Sequence, residues 1–306
     1  MEFCDNWGEL RHVVEGLKKK QLIQKPNHST AIHQLAHIAT KMKDEEWGAH
    51  AAVCHCEIAQ IYAKLNEPNE ERKQWEKAAN EMKTEEKSHH HNRSRVFCPW
   101  TSDASACFSR AIKILMALKS LKLAAMVSLE AAKHSLEVEN YLAATEHASR
   151  AVRLFEGERL CGADALRVLA TAQLKTDQIE ALLDTLDQLW TLSMKAWHNS
   201  TPMGKEVQKE ADIATMLVIC NRKARRGRQA VLKQTFENGI DFDEAGWVRG
   251  ASDSPLTTSE FLLVSSLCGC LSLCQKQLAI DLYSKQCHSF FSPLCKEIFL
   301  YQLDKL

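Results

Sequence analysis

Glycine and proline are scarce, 11 and 6 in 306 residues, below average usage. So few chain breakers leave little material for a turn-dense fold, and with many Ala, Leu, Lys and Glu they argue for long helices joined by short turns. Net charge is absent as well: 39 Lys and Arg balance 39 Asp and Glu, so no global field drives the chain towards nucleic acid or an anionic membrane. No GxxxxGK(S/T), GxGxxG or GxSxG sequence occurs, which removes the strongest local arguments for nucleotide binding or hydrolase chemistry. The opening MEFCDNWGEL lacks the apolar core of a signal peptide, so an intracellular compartment with reduced thiols is expected for the 12 cysteines. The uncharged run Phe261–Gln275 falls short of the roughly 20 residues that span a bilayer. It reads as a buried helix, and no direct membrane insertion is expected.

What is present is helical periodicity, most informative over residues 124–157. That stretch reads as two antiparallel helices closed by a tight turn at Glu139-Asn140. Ala132 sits where two backbones approach, and Tyr141, Ala144, Ala148 and Ala151 follow in the second helix. This is the register of a tetratricopeptide unit, in which small side chains let one helix nest against its partner. Such a unit cannot bury its apolar face alone, so it implies stacked neighbours. Ala78, Ala111 and Ala151 offer equivalent positions at irregular spacings of 33 and 40.

The same pattern predicts helices over 5–22, 29–43, 46–64 and 68–86, the last with Trp75, Ala78, Ala79 and Met82 inward. A polar, histidine-rich loop is expected at 87–100 and an acidic, then Gly/Ser-rich one at 239–256. Between them fall helices at 102–119, 121–138, 140–156, 160–175, 177–198, 204–223 and 228–238. Thr257 or Thr258 caps the next helix with Glu260 placed for a capping box, and helices at 275–290 and 293–304 follow. The helix at 261–274 carries no charge on any face, so it must be covered all round, either by those last two helices or by another protein.

Chemistry-bearing clusters are weak. Cys54-His55-Cys56 and Cys268-x-Cys270-x3-Cys274 space their ligands i, i+2 on a helix, towards different faces, and read as buried small hydrophobes. His33 and His37 are i, i+4, yet no glutamate lies between them to act as a base. His89-His90-His91 reads as solvated loop. No metal or cofactor is expected. Charged contacts to a partner could come from Lys18, Lys19 and Lys20, or from the run Arg222, Lys223, Arg225, Arg226 and Arg228. Phe261, Leu262, Leu263, Leu267 and Leu271 are the apolar candidates.

These residues also carry a family resemblance. Leu17-Lys18-Lys19-Lys20 with Leu22 and Lys25-Pro26-Asn27, then Ala51-Ala52 and Cys54, Val96-Phe97-Cys98-Pro99, Glu260-Phe261-Leu262-Leu263 and Ser266-Leu267 lie along nearly the whole chain. In that order they resemble the forty-kilodalton huntingtin-associated protein family, also called the factor VIII intron 22 protein family. Vertebrate members carry a small-residue-rich leader and a long proline-rich insertion. Here the leader is short and Asn199 to Pro202 stands where the insertion would lie, as in a compact, invertebrate-type member. The resemblance implies a helical protein clamped between the HEAT-repeat domains of huntingtin. It also implies recruitment to early endosomes through a Rab-family GTPase, in the cytoplasm and with the nucleus as a further compartment.

The expectation is therefore an all-α chain, a tetratricopeptide-like α-solenoid of stacked antiparallel helix pairs over 1–306, acting as a non-catalytic adaptor. The alternatives are another intracellular helical-repeat interaction protein, a metal- or thiol-dependent enzyme built on His33, His37 or the cysteine clusters, and a nucleic-acid-binding repeat using 222–228.

Overall fold

In the computed structural model the described residues are 5–23, 27–91, 100–156, 158–196, 201–222, 227–238 and 255–306. Among them are fourteen α-helices and no strand, and no helix is long and apolar enough to cross a membrane. Two compact units divide the chain, Met1–Leu154 and Phe155–Leu306.

The first unit holds α1 (Asn6–Ile23), α2 (His28–Asp44), α3 (Gly48–Lys64), α4 (Pro68–His91), α5 (Trp100–Ala117), α6 (Leu121–Glu137) and α7 (Tyr141–Leu154). Each packs chiefly on its neighbours in sequence. Helix α2, expected from residue 29, starts at His28 with Asn27 as its cap, Asn27 Oδ1 accepting from the Thr30 amide at 3.2 Å. Four of the links are the same tight turn. Glu46, Asn66, Lys119 and Glu139 take left-handed φ values of 63°, 56°, 57° and 59°. The next amide of each turn reaches back to the helix: Trp47 to the Met42 carbonyl at 2.8 Å, Glu67 to Tyr62 at 3.0 Å, Ser120 to Leu115 at 2.9 Å and Asn140 to Ser135 at 2.8 Å. These are Schellman turns, which satisfy otherwise orphaned helix-end carbonyls.

Glu46 and Lys119 stand 73 positions apart, as do Asn66 and Glu139. Under that same shift Ala31 meets Ala104, Leu35 meets Phe108, Ala39 meets Ile112, Met42 meets Leu115, Ala52 meets Ala125 and Ala59 meets Ala132, all buried. Helices α2–α4 thus share their turns and buried positions with α5–α7. Ala78 and Ala151 are equivalent in this register, whereas Ala111 falls opposite Ile38. Side-chain contacts also skip alternate helices. Lys43 of α2 pairs with Glu81 of α4 at 2.6 Å, and Lys87 of α4 with Glu137 of α6 at 2.6 Å. On the opposite layer Cys56 of α3 meets Cys107 of α5, and Ser105 of α5 meets His147 of α7. Because its last turns are tied to α6, α4 runs to His91. Residues 87–91 of the expected loop are therefore helical, and 92–99 lie outside the described residues.

The second unit comprises α8 (Arg159–Lys175), α9 (Ile179–Ala196), α10 (Pro202–Ile219), α11 (Arg228–Asn238), α12 (Thr258–Ser272), α13 (Lys276–Leu282) with a π-helical turn at Tyr283–Cys287, and α14 (Pro293–Asp304). It is organised around α10, which packs against α9, α11, α12 and α14. Every residue from Glu210 to Ile219 is buried. Helix α12, expected to be covered by the last two helices or by another protein, turns Phe261, Val264, Leu267 and Leu271 inward and leaves Leu262, with Leu273 at its C-cap, exposed in this chain alone. Its capping box forms as expected, with Thr257 Oγ1 accepting from the Glu260 amide at 3.3 Å and Glu260 Oε2 from the Thr257 amide at 3.0 Å. The single helix expected at 275–290 is split by the π turn, whose His288 amide bonds to the Tyr283 carbonyl at 2.9 Å. Ala279, Tyr283 and Cys287 are all buried at intervals of four. That spacing is wider than the 3.6-residue period, and the wide turn keeps all three inward.

Candidate binding surface

Helix α6 distributes its side chains in an unusual way. Its inward face is Ala124, Ala125, Ser128, Leu129, Ala131, Ala132, His134 and Ser135. Small residues there let α7 approach closely. Apart from Leu129, the large apolar side chains at its start point out instead. Met116, Leu118, Leu121, Leu123 and Met126, at the end of α5, through the turn and onto α6, are between 37 and 55 % exposed. Leu123 and Met126, three apart, share a helix face. No acidic residue occurs from Ala104 to Leu129, and the exposed Lys113, Lys119 and Lys122 lie within the same stretch. The outcome is an apolar hairpin tip set among ammonium groups.

Two polar pairs, one fully and one partly buried, lie elsewhere in the first unit. Glu86 Oε2 of α4 is 2.9 Å from His134 Nε2 of α6, with both side chains almost wholly enclosed. Ser105 Oγ lies 3.2 Å from His147 Nε2, and burial pushes the His147 imidazole below its ordinary value. Ser and His at that distance have the first contact of a nucleophile–base pair. His147 Nδ1, however, has no hydrogen-bond partner among the described residues, so the orienting acid of a triad is missing.

The charged candidates have different fates. Lys18 is exposed, whereas the side chains of Lys19 and Lys20, and all of Lys223, Arg225 and Arg226, lie outside the described residues. Arg222 is exposed, and its carbonyl accepts from Lys233 Nζ at 2.8 Å. Arg228 is committed to the interior: its guanidinium bonds Asp187 and Asp212, each at 2.5 Å, and lies 5.0 Å from the Trp190 ring centroid. Burial raises the Asp212 carboxyl above the usual range even against the pull of Arg228. Glu210, also on α10, is held by Arg167 at 2.7 Å. Arg228 is thus a partner of buried acids rather than part of an exposed basic run.

Among the apolar candidates, Phe261, Leu267 and Leu271 belong to the core of the second unit, Leu263 packs partly against it, and Leu262 is 37 % exposed. Phe261 stacks on Phe236 with centroids 4.3 Å apart. His33 and His37 are on the surface of α2. Cys54 is buried against Met42, and Cys268 and Cys270 are buried while Cys274 is exposed. No group of three or more His, Cys, Asp or Glu among the described residues is arranged to hold a metal ion. Sequence reasoning missed the 116–126 tip. The signal was there in the acid-free stretch, and in leucines and methionines out of phase with the alanine face. Compared with family models and with curated proteins, the chain matches none.

Proposed function

We propose that this chain is a non-catalytic adaptor whose helix pairs stack as a tetratricopeptide-like solenoid and hold another protein. The stacking is supported by the repeated Schellman turns and by the contacts from α2 to α4 to α6 and from α3 to α5 to α7. The binding role rests on one observation, the outward set Met116, Leu118, Leu121, Leu123 and Met126. Concentrated exposed apolar surface among charges marks interaction sites. The partner carried forward from the sequence resemblance is huntingtin, held between its HEAT-repeat domains, with linkage to early endosomes through a Rab-family GTPase as the associated role.

Co-expression with huntingtin is expected to raise the soluble yield and lifetime of the chain. The double substitution Leu123→Asp, Met126→Asp should weaken the purified complex by roughly tenfold or more without changing helix content. A monodisperse lone chain that does not co-purify with huntingtin would overturn the assignment of partner. An unchanged affinity in the double variant would move the contact away from this hairpin.

A further inference from the structure

Cys56 and Cys54 are two apart on α3 and face different neighbours. Cys54 Sγ sits 4.0 Å from Met42 Sδ on the α2 side. Cys56 Sγ sits 3.8 Å from Cys107 Sγ on α5. The contact lies at the edge of a core lined by Ala52, Ala104 and Ala111. Small side chains there leave the sulfurs room to move. Cys107 is buried and Cys56 half-buried, so the Cys56 side of the contact is the one nearer solvent. Arg110, one helical turn beyond Cys107, is exposed and holds its guanidinium 4.4 Å from the Trp75 ring centroid.

We propose that Cys56 and Cys107 form a dithiol that hydrogen peroxide oxidises to a disulfide joining α3 to α5. The sulfurs are already in van der Waals contact, and bonding requires them to close by about 1.8 Å, within reach of side-chain rotation. The two thiols are unequal. Either S–H can donate across the contact; that contact and Arg110, one turn along α5, favour the Cys107 thiolate, whereas the contact and then burial push the Cys56 thiol up. Cys107 is accordingly the nucleophile and Cys56 the resolving thiol.

In the first step the Cys107 thiolate attacks one peroxide oxygen. The O–O bond breaks, hydroxide leaves and takes up a proton as water, and Cys107 becomes a sulfenic acid. In the second step Cys56 attacks the Cys107 sulfur, the S–O bond breaks and a second water leaves. Two thiols and one peroxide give one disulfide and two waters, the sulfurs together losing two electrons. The bond closes a loop across a sequence separation of 51 that contains all of α4, and so fixes α4 between its neighbours.

The full chain, freshly reduced, is treated with increasing hydrogen peroxide, quenched with an alkylating agent and mapped by mass spectrometry without reduction. A peptide linking Cys56 to Cys107 is expected at lower peroxide than oxidation of the exposed Cys161 and Cys274. It should come with a rise in melting temperature of several degrees that dithiothreitol reverses. Cys56→Ser should abolish the link and raise dimedone capture at Cys107 roughly tenfold, because the sulfenic acid loses its resolving partner. If that variant does not fold, the map of the natural chain decides alone. Oxidation of Cys161 and Cys274 while Cys56 and Cys107 both remain open to alkylation would overturn the proposal, as would linkage of either to another cysteine.

Discussion

Helix α7 turns Ala144, His147, Ala148 and Ala151 inward, and 38 positions on α9 turns Leu182, Thr185, Leu186 and Leu189 inward. The turns that precede the two helices, at Glu139 and Asp177, have the same left-handed geometry. One local turn thus leads into two helices with opposite core chemistry. At α7 and its partner α6, alanine contacts bring the helices close and leave Leu123 and Met126 outside, although Phe108, Ile112 and Leu115 of the neighbouring α5 are buried. In the second unit, leucines surround a central α10 whose acids Glu210 and Asp212 are neutralised by Arg167 and Arg228. Stability at α6 and α7 should depend on closeness of approach, and around α9 and α10 on volume and buried charge.

The sharpest way to break that contrast is to exchange the side chains at one equivalent position. Leu186→Ala should cost about 3 kcal/mol through the cavity it leaves. Ala148→Leu should cost about 2 kcal/mol for the opposite reason, since the backbones must part to admit it. Urea denaturation of the two variants measures both. A neutral Ala148→Leu would show that α6 and α7 have room to spare.

Acidification should separate the units next. Burial depresses His147, and also His55 despite its bond to Gln74, and both lie in the first unit. With folded values below the ordinary 6.5, their contribution is complete above the unfolded value. As pH falls from about 6.5 towards the folded value, the unfolded chain takes up protons first and stability is lost. Hydrogen exchange, corrected for intrinsic rate, should show greater loss of protection in α3 and α7 than in α9 and α10 between pH 7.5 and pH 5.5. Equal loss in all four helices would remove the distinction.

The smallest effect concerns the turns common to both. Lys119 pays a steric penalty at φ 57°, so Lys119→Gly should stabilise by about 0.5–1 kcal/mol, partly offset by glycine's greater freedom in the unfolded chain. A lower melting temperature would mean that the lysine side chain contributes more than its backbone costs.

Much of this architecture was legible in residue order. The inward face Trp75, Ala78, Ala79 and Met82, the alanines of α6 and α7, and the Thr257–Glu260 box all occupy the places that periodicity and capping assign. Other features depend on partners far away in sequence. The last turn of α4 looks like loop until Lys87 meets Glu137 and Glu86 meets His134. The acids Glu210 and Asp212 on the core helix of the second unit give no sign of burial in residue order, because the cations that satisfy them, Arg167 on α8 and Arg228 on α11, are distant in sequence. Helix α12 looks entirely buried because Ser266 and Gly269, uncharged but small, make up much of its outer face. The candidate surface was overlooked because exposed leucines carry no periodic signature of their own.

The position of α10 has a consequence for synthesis. Vectorial emergence from the ribosome releases its residues well before α14, the helix that closes over it through Gln302 and Cys295. At roughly 10 residues per second, its surface waits on the order of 10 s for that cover. Over the same interval the sequentially packed helices ahead of it can settle one after another. The nascent chain is thus most exposed to chaperones and proteases while the residues between α10 and α14 are being translated.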